Sequence, residues 1–89
     1  EAAWERGIKN RKLLNAIKKL SPQDRDIILN LMGYIDPPKK EWSKTLKDGK
    51  VTINATTIAR GLGISPDRVR TKVANIFKKL RTELAENNF

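Results

Sequence analysis

Apolar side chains fall on Trp4, Ile8, Leu13, Leu14, Ile17 and Leu20, which reads as helical spacing. Arg6, Lys9, Arg11, Lys12, Lys18 and Lys19 take the other face, so the pattern predicts a first helix over about 4–20. The run Ser21-Pro22-Gln23-Asp24 then reads as a new helix start. A serine oxygen can accept from the free N–H groups of a first turn, proline suits the first helical position, and a carboxylate favours the positive end of the helix dipole. Ile27, Ile28, Leu31 and Met32 form the apolar face, and Gly33 is a natural stop, which predicts a second helix over 22–32.

Residues 34–53 break the helical rhythm. Asp36-Pro37-Pro38 favours extended chain. Trp42, Leu46, Val51 and Ile53 surround Asp48-Gly49, the pattern of a short β-hairpin, with a long ordered loop as the alternative. The lysines here (Lys39, Lys40, Lys44, Lys47, Lys50) suit either phosphate contact or simple solvation. Helical spacing resumes over 55–62 behind Asn54 as a cap. Gly63-Ile64-Ser65 turns the chain, and a last helix over 66–85 opens on Ser65 and Pro66, with Val69, Val73, Ile76, Phe77, Leu80 and Leu84 as its stripe. The expected fold is all-α: a compact four-helix single domain, with a C-terminal helix-turn-helix and a long segment, loop or hairpin, inserted before the third helix.

The last two helices carry the most specific spacing. A helix-turn-helix packs a short helix on a longer one through a tight turn, with a small residue at the crossing and a residue tolerant of positive φ in the turn. Ala59 is the small residue, Gly63 lies four later, Ile64 follows, and Val69 comes five after that, with Ile58 and Leu62 completing the shared core. The same spacing also occurs in helix pairs that never meet DNA.

Composition strengthens one side of that choice. The 89 residues hold 19 basic and 10 acidic side chains, a net charge of +9 that points to a polyanionic partner. The excess is uneven: residues 66–82 alone carry six basic groups against one acidic, on the best helix of the chain. There is no cysteine and no histidine, which removes disulfides, thiolate metal sites and the common nucleophile–base pairs. Paired carboxylates, metal-ligand spacing and a phosphate-cradling glycine loop are also missing, so neither an enzyme nor a cofactor is expected. No apolar run approaches the ~18 residues of a membrane span, no secretory signal is present, and a cytoplasmic protein is expected. The chain opens on Glu1 rather than methionine, as a fragment or a processed product would.

On a helical wheel the side of 66–85 opposite the stripe shows Asp67, Arg68, Thr71, Asn75, Lys78 and Thr82. Lys72 and Lys79 line one margin, Arg70 and Arg81 the other. The early residues of such a helix meet base edges in the major groove. Arginine can bond guanine at two points and asparagine adenine, threonine offers a methyl group to thymine, and aspartate accepts from cytosine or positions an arginine. Arg68, Thr71, Lys72 and Asn75 are therefore the expected readers, with Asp67 and Arg70 beside them. Lys78, Lys79 and Arg81, further along, are expected to hold phosphate.

The run from Leu62 to Leu80, LGISPDRVRTKVANIFKKL, resembles the DNA-binding end of region 4 in bacterial sigma factors of the primary type. Arg68, Val69, Arg70, Ala74 and the Lys78-Lys79-Leu80 ending fall in that family's register. Upstream, Leu20 to Ile28 with Gly33-Tyr34 resembles the family's preceding helix, so the likeness covers about two thirds of the chain in two blocks. The resemblance implies a module of transcription initiation that docks on the flap of the RNA polymerase β subunit and reads the minus-35 promoter element. By position, Asp67, Arg68, Arg70 and Thr71 would face the double-stranded DNA. Pro66, Lys72, Val73 and Asn30 depart from the pattern, as does the length of 34–53, which implies a divergent member, specialised or phage-encoded.

Two other binding functions share these features. A stand-alone helix-turn-helix regulator would dimerise on a two-fold-symmetric operator, although no dimerisation heptad is evident. A protein-interaction module would bind polymerase or another transcription factor, a regulatory protein included, with little preference on DNA; Pro66 and Lys72 favour it slightly. A basic amphipathic helix can also lie on a membrane, but here each apolar stripe has neighbouring helices to pack against.

Overall fold

The computed structural model describes residues 3–86, which hold five α-helices and one small hairpin. The expected first helix is two. A single turn, α1 (Ala3–Arg6), is followed by a break at Gly7–Asn10, and α2 runs Arg11–Lys18. A single stripe over 4–20 passes over a local competitor at the five-residue step between Ile8 and Leu13: the Asn10 side chain accepts from the backbone N–H of Lys12 and of Leu13, at 3.0 and 3.2 Å, and starts a fresh helix. The break lets Ile8 drop into the core. At the other end of α2 the Arg25 guanidinium donates to the carbonyls of Lys18 and Leu20.

Helix α3 (Pro22–Leu31) begins as its sequence suggests, with the Ser21 hydroxyl accepting from Asp24 N–H at 3.3 Å and Pro22 in the first turn. Ile27, Ile28 and Leu29 are buried, whereas Met32 is exposed. Asn30 is buried too, and both ends of its amide are used. It donates to the Asp26 carbonyl at 2.7 Å and accepts from Lys39 N–H at 2.6 Å. An apolar residue here would leave the Lys39 amide without that acceptor. Asn30 thus ties the segment after α3 back to that helix.

That segment then makes a 3-10 turn over Lys40–Trp42 and buries Trp42 to 4 % exposure against α4. The close approach depends on Gly61: a Cβ there would run into the Glu41 carbonyl oxygen and the Trp42 ring. Of the two readings of 34–53, the hairpin is present. Strands β1 (Lys44–Thr45) and β2 (Val51–Thr52) pair antiparallel, Lys44 with Thr52 and Thr45 with Val51. Leu46 N–H donates to the Lys50 carbonyl at 2.8 Å and Gly49 N–H to the Leu46 carbonyl at 3.0 Å. Gly49 sits at φ 87°, so the loop is a three-residue turn closed by a left-handed glycine.

Helix α4 (Ala55–Leu62) opens on a reciprocal cap: Asn54 accepts from Thr57 N–H while the Thr57 hydroxyl accepts from Asn54 N–H. It ends on Gly63 at φ 71°, with Ile64 N–H donating back to the Ala59 carbonyl at 3.1 Å. Ser65 accepts from Arg68 N–H and starts α5 (Pro66–Glu86), about 31 Å long at 1.5 Å per residue. Helix α5 packs in turn on α4, α3 and α2. Its Val69, Ile76 and Leu80 are buried with Ile17, Ile27 and Ile58 in one core. Phe77 is not part of that stripe: it is 39 % exposed, because residue 77 lies about 100° round the helix from Ile76 and points past the edge of the contact.

Candidate nucleic-acid interface

The turn between α4 and α5 sets the geometry. Ala59 and Ile58 are buried at the crossing, Leu62 and Ile64 pack against the same core, and Gly63 supplies the left-handed residue that reverses the chain. Val69, fully buried, seats the first turns of α5 on α4. With the stripe turned inward, Asp67, Arg68, Arg70, Thr71 and Asn75 are all exposed along the first half of α5, and Lys72 is half-buried at the margin. Lys78, Lys79 and Arg81 are exposed further along.

The nine expected site residues do not form one set. Asp67, Arg68, Thr71 and Lys72 line a groove with Leu62, Ile64 and Gln23. Asn75, Lys78 and Lys79 line the next groove along α5, with Lys19, Leu20 and Ser21 opposite. Residues 70 and 81 lie on the other flank, at wheel angles near Phe77 and away from both grooves. Arg70 is brought back toward the exposed face by Asp67: its guanidinium meets that carboxylate at 2.7 Å, one turn earlier. The pair is solvent-exposed, so it holds orientation more than it adds stability. The Thr71 hydroxyl donates to the Asp67 carbonyl at 3.1 Å, which restrains its rotamer on an exposed part of the helix.

Three other ion pairs sort the cations. Lys79 of α5 reaches Asp24 of α3 at 3.7 Å, Lys19 at the end of α2 reaches Glu83 of α5 at 2.8 Å, and Lys18 meets Glu5 at 3.3 Å. Among the described residues Arg68, Lys72, Lys78 and Arg81 have no ion pair. Three of these four, Arg68, Lys72 and Lys78, lie on the groove side of α5 with Thr71 and Asn75 between them, a positive row interleaved with hydrogen-bonding side chains.

Two contributors escape a reading by periodicity. Gln23 lies in the first turn of α3, 45 residues before Arg68 in sequence, and only the packing of α3 on α5 brings it beside Arg68 and Thr71. The sequence pattern does not single out Gly61; its role as the seat for Trp42 depends on a segment whose path no local pattern reveals. Among the described residues no helix is long and apolar enough to cross a membrane. The chain matches no family model, no curated protein and no solved structure.

Proposed function

We propose that this domain binds double-stranded DNA sequence-specifically in transcription initiation, reading a promoter element with α5 while docked on RNA polymerase. The observation that carries the reading is the presentation of α5: a left-handed glycine turn after a short helix, and beyond it Arg68, Thr71 and Asn75 exposed on successive turns clear of the core. Such a helix enters the major groove by its N-terminal half. Arg68 and Asn75 suit two-point contacts with guanine and adenine, Thr71 suits a thymine methyl group, and Lys78 suits phosphate. The likeness of residues 62–80 to region 4 of sigma factors supports the promoter as target and the polymerase flap as dock.

The Asp67–Arg70 pair favours a second reading. It engages two of the four family DNA-facing positions with each other, as suits a module that binds polymerase and touches DNA with little sequence preference. Fluorescence anisotropy separates the two. A minus-35-containing duplex and a scrambled duplex are titrated with the domain at two salt concentrations. Preference for the promoter duplex that survives the higher salt is the expected result. Equal binding that falls steeply with salt would leave only the phosphate contribution and favour the polymerase-binding module.

A further inference from the structure

We propose that the β1–β2 hairpin is a second DNA contact, a basic arm laid on the phosphate backbone beside the groove that α5 enters; this rests on the reading of the domain as a DNA binder. Residues 44–51 are all exposed, and Val51 is 47 % exposed, so the hairpin adds nothing to the core. A two-stranded hairpin is marginal alone. This one is mounted at its base: Trp42 is buried on α4, Arg60 donates to the Ser43 carbonyl at 3.0 Å, and Asn30 holds Lys39.

The mounted arm is positive. Lys44, Lys47 and Lys50 are exposed and have no ion pair among the described residues. The one carboxylate, Asp48, is folded into the turn and accepts from Lys50 N–H at 3.0 Å. Cross-strand partners share a face and alternate residues of a strand do too, so the register puts Lys44, Leu46 and Lys50 on one side. Three lysines on free stems suit a row of phosphate oxygens. They do not suit the packed centre of a protein interface, from which lysine is depleted. Placement agrees with charge. Only Ile53 and Asn54 separate β2 from α4, and the first helix of a helix-turn-helix crosses the DNA backbone. An arm joined to the start of that helix is carried to a phosphate strand.

The test compares the wild type, Arg68→Ala and a triple variant Lys44→Gln, Lys47→Gln, Lys50→Gln on promoter and scrambled duplexes over a salt series, with hydroxyl-radical footprints on the promoter duplex. The substituted side chains are exposed, so the triple variant should melt with the wild type by circular dichroism. Its affinity should fall at least roughly tenfold on both duplexes, the ratio between duplexes should hold, and the logarithmic salt slope should become shallower by about two to three units. One patch of backbone protection, separate from that lost in Arg68→Ala, should disappear. Wild-type affinity and slope in the triple variant, beside a wild type that discriminates through Arg68, would overturn the hairpin contact and leave the DNA reading intact. Failure of the wild type to bind either duplex would overturn both.

Discussion

Arg68 and Lys78 carry the same charge on the same helix, yet they stand in different places. Arg68 is in the first turn, next to Thr71 and Gln23, where the proposed function would bring base edges within reach; Lys78 is almost three turns further on. Arg68→Ala should therefore relax base preference and cost about 1–3 kcal/mol on the promoter duplex alone. Lys78→Ala should weaken both duplexes alike and reduce the salt slope by about one unit. Identical behaviour of the two variants in anisotropy titrations would overturn the division into readers and holders. At Gly61 two effects oppose each other. Alanine is the better helix former by about 1 kcal/mol, which favours Gly61→Ala. The new methyl group, however, meets a backbone carbonyl that cannot rotate aside, and overpacking costs about 1–3 kcal/mol. We expect a net loss of stability and a lower thermal midpoint; a midpoint at or above the wild type would mean that the 40–42 turn does not rest on α4.

The elements are bounded by side chains more than by propensity. Asn10, Ser21, Asn54 and Ser65 each accept from backbone N–H groups of the helix that follows. The reciprocal Asn54–Thr57 cap matters most to the site, because it starts the helix that supports the turn into α5. Asn54→Ala should cost about 0.5–2 kcal/mol, and a chain of this size should melt about 4–8 °C lower per kcal/mol. Scanning calorimetry checks this; an unchanged midpoint would show that the cap is spare. Ser21, Asn54 and Ser65 were legible because each stands before a fresh apolar period. Asn10 was not, because the apolar residues on either side of it read as one stripe, although the five-residue step from Ile8 to Leu13 breaks the helical phase there. On one continuous helix Trp4 and Ile8 would lie opposite Leu13, Ile17 and Leu20, so each stretch keeps its own helical phase and the slip between them marks two helices rather than one.

Across the whole molecule the inserted segment is a brace. Asn30 ties it to α3, Trp42 and Gly61 seat it on α4, and Arg60 reaches over to Ser43. Trp42→Ala should remove about 3–5 kcal/mol and release the hairpin from α4. Amide hydrogen exchange should then show lost protection at Leu46 and Gly49, whose N–H groups close the loop. Loss of protection confined to α4 would mean that the hairpin holds itself.

Local patterns determined much of this protein. The Ala59–Gly63–Val69 spacing specifies the paired helices, since only a glycine takes the φ of 71° there at no cost. The apolar stripe of α5 decides by exclusion that Arg68, Thr71, Asn75 and Lys78 are exposed, because a helix buries one side and 3.6 residues per turn place the rest. The Asp48-Gly49 pair marks the hairpin turn for the same local reason. Tertiary structure alone decided which exposed residues share a groove, since Gln23 joins Arg68 through the packing of α3 on α5. It alone moved Phe77 out of the core and put Trp42 into it over a glycine. Contacts between residues distant in sequence depend on the relative placement of whole elements, and no short-range period encodes that.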